Sequence, residues 1–177
     1  MGFLGSEVVK AASTSADGVY RYLLSRNWGI GKAVLFIMLN PSTADHQIDD
    51  PTIRRCMGLT RKWNYRHLLV ANLFAYRATN PLELHLQRDP IGPENPKILS
   101  RLISDDNVDR VVVAWGNRGT YRDRDIAFWS QHGRARQMYH LGDLTARMQP
   151  RHPLYVPNDV SPRVFDLLHV RQPPKYR

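Results

Sequence analysis

Four continuous apolar runs divide the chain, and each is bounded by turn residues or polar segments. They are AVLFIMLN at 33–40, HLLVANLF at 67–74, RVVVAWG at 110–116 and RQMYHLG at 136–142. Such runs are typical of strands that a parallel sheet buries on both faces. VYRYLLSRNW at 19–28 is compatible with a strand or a short helix, and the turn NWGIGK that follows favours a strand leading into a hairpin.

Helical segments lie between these runs. DDPTIRRCMGLTRKW predicts a helix with Asp50 at the N-cap and Pro51 at the first helical position. Its apolar residues recur at three- and four-residue steps and form one stripe. Further helices are expected to open at Asn95 and to cover 120–133. Strands that alternate with helices predict an α/β fold around a central, mostly parallel sheet of four strands.

Length and composition indicate one domain spanning 1–177, with a loose leader at 1–17 and a basic tail at 171–177. With 42% hydrophobic residues, global disorder is not expected, and no apolar run approaches the length of a membrane span. The single cysteine, Cys56, excludes a disulfide framework, a cysteine-based zinc site and a four-cysteine iron–sulfur cluster. We therefore expect a reducing, cytoplasmic compartment, no cofactor and no membrane partner.

The charge balance is strongly basic. The chain has 25 Lys and Arg residues against 16 Asp and Glu, a formal net charge of +9, and 20 of the basic residues are Arg. This bias can reflect a genome rich in G and C. It also suits phosphate binding, because the guanidinium fork matches phosphate oxygens at two points. The candidate phosphate-binding residues are Arg54, Arg77, Arg118 and Arg151.

Polar residues follow the first apolar run directly, in the segment Asn40 to His46. Ligands in parallel sheets collect at the carboxyl ends of the strands, so this segment is a candidate site. The simpler interpretation is a turn plus a helix cap. A metal cluster of Asp45, His46, Asp49 and Asp50 is an alternative, but its spacing matches no specific ligand pattern and no metal is expected.

Two further polar side chains stand near predicted strand ends. Asn72 lies among apolar neighbours, where an amide is costly unless it is hydrogen-bonded. Its donors and acceptor match the edge of a pyrimidine, although an Asn that caps nearby backbone gives the same pattern. His152 lies in the proline-stiffened segment RHPLY after the fourth run, where a surface histidine is the simpler interpretation.

The order of these motifs resembles the uracil-DNA glycosylase superfamily. VLFIMLNPS, LLVANLF, VVVAWG and RHPL occur in the same order as that superfamily's Asn-Pro motif, base-reading Asn strand, WG strand and His-Pro loop. The combination LNPSTAD, DDPTIRRC, NLFAYRATNP, DPIGPEN and HPLY also closely resembles an uncharacterised bacterial domain-of-unknown-function family over nearly the whole chain.

The superfamily resemblance implies a three-layer α/β/α fold and a role for each matching position. Asn40 would orient the hydrolytic water, and His152 would stabilise charge on the departing base. The first motif lacks the superfamily's Gly-x-Asp-Pro form with its catalytic aspartate, so Asp45 is the reserve candidate for the carboxylate that activates the water. The implied substrate-binding residues are Pro41, Ser42, Asn72, Phe74, Tyr76, Leu154 and Tyr155. Among these, Asn72 would bind the base, and Phe74 and Tyr76 would stack on it. Leu154 or Tyr155 would wedge into the base stack of the DNA.

The expected function is therefore that of a monomeric DNA glycosylase that flips a damaged or modified pyrimidine out of single- or double-stranded DNA and excises it. Two alternatives remain open from the residues alone. One is a non-catalytic nucleic-acid-binding module on the same fold. The other is an α/β enzyme that acts on a nucleotide or another phosphorylated metabolite.

Overall fold

A computed structural model describes residues 7–42 and 44–166. The strands are β1 Val9–Thr14, β2 Arg21–Asn27, β3 Ala33–Met38, β4 His67–Asn72, β5 Val108–Val113, β6 Met138–Leu141 and β7 Pro162–Phe165. The α-helices are α1 Pro51–Lys62, α2 Asn95–Ile103 and α3 Arg124–His132. Short 3-10 helices occupy Pro81–Leu86, Asn117–Asp123 and Pro153–Tyr155.

The strands of the described residues form one mixed sheet in the order β1-β2-β4-β3-β5-β6-β7. The inner pairs β4–β3, β3–β5 and β5–β6 are parallel. The pairs β1–β2, β2–β4 and β6–β7 are antiparallel. Because β2 runs against β4, the first residue of β2 lies at the sheet edge where the parallel strands end.

The predicted four-stranded, mostly parallel sheet of a three-layer, uracil-DNA-glycosylase-like fold is wrong, because the sheet has seven strands and half of their pairings are antiparallel. Apolar runs identify only strands that are buried on both faces. They miss β1 and β7, most of whose residues are exposed or half-buried. They also give β2 the wrong neighbour, since β2 pairs with β1 and β4 and not with the following β3.

Both faces of the sheet bury apolar side chains. Inner-strand residues alternate between the two faces, so that Leu35 and Ile37 belong to one cluster and Val34 and Phe36 to the other. The first cluster includes residues of α2 and α3, and the second includes residues of α1. Because both faces of the sheet are packed, the ends of the inner strands are held in place. The candidate site lies at these strand ends.

The structure also corrects the predicted leader and one predicted helix. Residues 1–17 are not a uniformly loose leader, since they contain β1; residues 1–6 and the predicted tail at 171–177 lie outside the described residues. The helix expected over 120–133 begins only at Arg124, because Arg122 and Asp123 adopt positive φ angles of 52° and 50°. No helix of the described residues is long and apolar enough to cross a membrane.

The predicted start of α1 is confirmed. Asp50 is the N-cap, its Oδ1 accepts a hydrogen bond from the Ile53 N–H at 2.8 Å, and Pro51 begins the helix. The cap orients the Asp50 side chain toward the sheet edge that is described below.

A buried arginine on β2 holds the segment that precedes α1. The Arg26 side chain is fully buried, and its Nε donates to Asp49 Oδ1 at 2.6 Å. Its Nη2 donates to the carbonyl oxygens of Asp45 and Ile48, at 2.5 and 3.3 Å. Lys10 of β1 pairs with the other Asp49 oxygen at 2.9 Å. These contacts join the loop after β3 to the outer strands.

Replacement of Asp49 by Asn is expected to destabilise the protein at pH 7 by about 3 kcal/mol, because it leaves the buried Arg26 charge without its carboxylate. Burial raises the pKa of Asp49, but hydrogen bonds from Lys10 and Arg26 outweigh burial and place it below the ordinary 3.8. The stabilisation is therefore complete above pH 3.8 and is lost as the pH falls through the lowered pKa. Thermal unfolding followed by circular dichroism from pH 7 to 2.5 measures both effects.

The exposed Asp106 provides the matched control. Asp106→Asn should leave the unfolding temperature near that of the wild type at every pH. A constant difference between Asp49→Asn and wild type across the whole pH range would contradict the assignment of this acid-sensitive stability to Asp49.

Candidate functional site

A cavity of about 220 Å³ opens at the edge where the parallel strands end. Residues at or after the ends of β3, β4 and β5 line it, together with the first residue of β2, the start of α1 and the loop that carries His152. The lining residues are Arg21, Met38, Leu39, Asn40, Ser42, Asp50, Thr52, Ile53, Val70, Asn72, Ala78, Thr79, Pro81, Trp115 and His152. The structure thus brings Asn40, Ser42, Asn72 and His152 together.

Asn72 is the last residue of β4 and lines the cavity with a side chain that is only 2% exposed. Its Nδ2 is buried and has no hydrogen-bond partner among the residues that the structure describes. Its backbone carbonyl accepts from Asn95 Nδ2 at 3.0 Å, which ties the end of β4 to the start of α2. A buried donor without a partner costs about 1–3 kcal/mol, so Asn72 marks a position where a bound group can accept a hydrogen bond.

Asn40 presents the complementary group. Its Nδ2 donates to the carbonyl oxygens of Ala78 and Pro41, at 2.8 and 3.0 Å. Since both contacts occupy the amide nitrogen, Oδ1 is the atom that Asn40 offers to a ligand or a water molecule, and it can only accept.

His152 is the N-cap of the 3-10 helix Pro153–Tyr155, and its Nδ1 accepts from the Leu154 N–H at 3.3 Å. In the neutral ring this contact places the proton on Nε2, which can donate. Burial lowers the pKa of His152 below its ordinary 6.5, and the Asp50 carboxylate offsets part of the lowering. At neutral pH His152 is therefore an uncharged donor.

Arg55 of α1 holds the His152 loop in place. Its Nε donates to the Pro153 carbonyl at 3.2 Å, and its Nη2 donates to the carbonyls of Val156 and Pro157 at 2.8 and 2.7 Å. Its Nη1 donates to Asn158 Oδ1 at 2.5 Å. One helix thus supports the cavity wall at Asp50 and also positions the loop opposite.

Asp50 and Arg21 are the charged residues of the lining, and the sequence indicated a cavity role for neither. Asp50 was recognised as a helix cap and as a member of the alternative metal cluster, and Arg21 only as a polar position in a predicted strand. Burial lowers the pKa of Arg21 to about 10, and the Asp50 carboxylate raises it in part. Trp115, the third missed residue, packs edge-on against Phe128 and donates from Nε1 to Gln149 Oε1 at 2.9 Å.

Asp45 lies outside the cavity lining and acts as a turn acceptor. Its Oδ1 accepts from the N–H groups of Ile48 and Gln47, and these bonds lower its pKa below 3.8. With Asp49 engaged by Lys10 and Arg26 and Asp50 capping α1, the alternative metal cluster is not formed. The described residues contain no group of three or more His, Cys, Asp or Glu side chains that could hold a metal ion.

The other predicted substrate-binding residues also lie outside the lining. Phe74 is fully buried in the core against Tyr121, so it offers no stacking face, and Tyr76 packs edge-on against Tyr20. Pro41 is buried, and its carbonyl accepts from Asn40 and from the Ala78 N–H. Leu154 and Tyr155 are exposed beside His152, as residues that wedge into a duplex must be.

The four predicted phosphate-binding arginines lie outside the cavity lining. Arg118 lines a depression that shares Pro81 with the cavity, and Arg151 lines a second depression next to Tyr155. Arg54 and Arg151 donate to the backbone carbonyls of Asp49 and Asp143 and not to carboxylates. Arg77 is half-buried beside the cavity residue Ala78.

Comparison with known proteins places the chain in a family but not in a functional class. The model of a protein family of unknown function, DUF1643, matches residues 21–154. Neither the search of curated proteins nor the search of solved structures found a match. The matched range contains every residue that lines the cavity, from Arg21 to His152. Since the match covers most of the chain, this protein belongs to the DUF1643 family.

Proposed function

We propose that this protein is an N-glycosidic bond hydrolase that takes a flipped pyrimidine from DNA into the cavity and excises it. The observation that carries the proposal is the buried, unpartnered Asn72 Nδ2 in a cavity that also holds Asn40 and His152. An enzyme that acts on a base must extract it from the stack and hydrogen-bond its edge in a closed pocket.

The size and walls of the cavity suit one flat ring. Its 220 Å³ equals about seven water molecules at roughly 30 Å³ each, and lies below the roughly 300 Å³ at which drug-sized pockets begin. Met38, Ile53, Val70 and Trp115 supply apolar surface for the ring faces. The sugar and phosphates of a nucleotide would then remain outside, on the basic surface.

The chemistry follows from the position of each polar group. During hydrolysis the C1′–N bond breaks with its electron pair on the base, and the oxygen of a water molecule bonds to C1′. Asn72 Nδ2 and the Nε2–H of His152 donate to the base, where negative charge develops. Preorganised donors at developing charge commonly provide the largest single contribution to catalysis.

The attacking water requires acceptors, and the cavity provides two. Asn40 Oδ1 orients one water proton, since the amide nitrogen is held by Ala78 and Pro41. Asp50, with one oxygen on the Ile53 N–H, accepts the other proton as the water attacks. Asp50 thereby takes the part that the sequence suggested for Asp45.

Two further observations support DNA as the substrate. The motif order LNPS, LLVANLF, VVVAWG and RHPL resembles the uracil-DNA glycosylase superfamily. A net charge of +9, with Arg118 in a depression that shares Pro81 with the cavity, suits a phosphate backbone. A role in DNA repair is consistent with this substrate class.

Single-turnover base release from oligonucleotides carrying normal, deaminated and modified pyrimidines tests the proposal. Asn40→Ala and His152→Ala are each expected to slow release by roughly 10²–10³, because each removes one preorganised partner. Asp50→Asn should slow release by at least 10², while Asn preserves the N-cap of α1. The matched control, Asp45→Asn, should release the base at the wild-type rate.

Wild-type release by both Asn40→Ala and His152→Ala would overturn the proposed mechanism. Salt-dependent DNA binding without release of any base in the panel would instead favour the non-catalytic nucleic-acid-binding module. Unfolding temperatures of all variants establish that each one is folded.

The pH dependence of base release should report the neutral state of His152. The rate is expected to be level above pH 6.5 and to fall as the pH drops through the lowered pKa of His152, since protonation displaces the Leu154 N–H from Nδ1. His152→Gln should be slower throughout and should lack this fall below pH 6.5. An unchanged acid limb in His152→Gln would assign the titration to another group.

DNA affinity is expected to be largely electrostatic. The slope of log affinity against log salt should become shallower by about 0.9 for each arginine that contacts a phosphate. Fluorescence anisotropy with Arg54, Arg77, Arg118 and Arg151 changed to Gln together measures the loss, and Arg101→Gln on the exposed face of α2 is the control. An unaltered slope in the fourfold variant would refute this surface as the phosphate contact.

A further inference from the structure

We propose that Arg21 makes the cavity selective for an anionic ring: a planar heterocycle with carbonyl oxygens and one negative charge. This inference rests on the proposed function, because it assumes that the cavity holds a base. It adds the chemical class of that base. The charge has two possible sources. It belongs to the ring itself, as in a departing base, or to a carboxylate substituent on the ring.

The first observation is that Arg21 is buried although its hydrogen-bond donors are only partly paired. Its side chain lines the cavity and is 3% exposed. Among the described residues its guanidinium donates through Nη1 to the carbonyl of Ala44, which carries no full charge. Its buried Nε has no hydrogen-bond partner within residues 7–42 and 44–166. Buried charges are normally paired, so the vacant donor of Arg21 marks a place for an anionic acceptor.

The second observation is that Arg21 keeps its charge at neutral pH. Burial lowers its pKa only to about 10, well above physiological pH. The carboxylates of Asp50 and Asp45 favour the charged form of Arg21, whereas the neighbouring charges of Arg77 and Arg26 disfavour it. One oxygen of Asp50 is already engaged by the Ile53 N–H, and Arg26 is paired with Asp49.

The third observation is the arrangement of donors around the cavity. Besides Arg21 Nε, the buried Asn72 Nδ2 has no hydrogen-bond partner in the described part of the chain, and His152 offers its Nε2–H. Three lining residues thus present donors to a space of about 220 Å³. A neutral ring with two carbonyl groups satisfies Asn72 and His152, whereas an anion also adds to the compensation that Asp50 and Asp45 give the charge of Arg21 only in part.

Isothermal titration of the full chain with free bases at pH 7 tests the inference without DNA. The probes are uracil, which is neutral, 5-nitrouracil, which is a ring anion at this pH, and 5- and 6-carboxyuracil, which carry a carboxylate. Acetate controls for charge without a ring. We expect 5-nitrouracil or a carboxyuracil to bind at least tenfold more tightly than uracil. Preference for 5-nitrouracil identifies the ring-anion source, and preference for a carboxyuracil identifies the substituent.

Two variants assign that preference to Arg21. Arg21→Met should bind the anions no more tightly than uracil, whereas Arg101→Met, which removes an exposed arginine of α2, should keep the tenfold preference. If Arg21→Met fails to fold, the Arg21 Nε–H resonance of the wild type provides the test. It is assigned by its absence from Arg21→Lys, and it should shift with the anionic probe but not with uracil.

Three outcomes would overturn the inference: equal binding of uracil and the anions, a preference that survives in folded Arg21→Met, or binding of none of the probes. These outcomes are separate from failure of the proposed function. Anion binding that depends on Arg21, without release of any base from DNA, would sustain this inference and refute the hydrolase. Base release together with equal affinity for uracil and the anions would do the reverse.

Discussion

In-register parallel pairing of β3 with β4 is the constraint on which the candidate site depends. Met38 lies opposite Asn72, so the chain leaves β3 toward Asn40 beside the residue that ends β4. Pairing of β3 with β5 brings the segment toward Trp115 to the same edge, and antiparallel β2 brings Arg21. A slip of one residue would exchange the buried faces of these strands, so the packing of both clusters keeps the polar ends together.

The inner strands were predictable because burial on both faces leaves a direct trace in sequence. The same reasoning failed at the outer strands, because β1 is exposed along most of its length and β7 has only Phe165 buried. The segment VYRYLLSRNW, which contains β2, gives no local indication that β4 is its neighbour. Strand pairing is decided by contacts between residues that are distant in sequence. The start of α1 was predictable because a cap and a proline act within one turn.

The residues of the candidate site were likewise predictable from the sequence only in part. Asn40, Asn72 and His152 were visible because each is a polar residue in or next to an apolar or proline-stiffened segment. Asp45 and Asp50 have similar surroundings in sequence, and only the fold distinguishes a turn acceptor from a residue that faces the cavity. Phe74 was chosen as an aromatic near a strand end, but its side chain points into the core, which the sequence does not specify.

The Arg55 contacts have a mechanical consequence. α1 begins beside Asp50 and, about one turn later, Arg55 grips the segment 153–158 that follows His152. Asp50 and the loop that carries His152 are therefore held by one helix, whereas Asn40 and Asn72 are held at the ends of the strands. Unwinding of the first turn of α1 would therefore disturb the cavity wall at Asp50 and the His152 loop together.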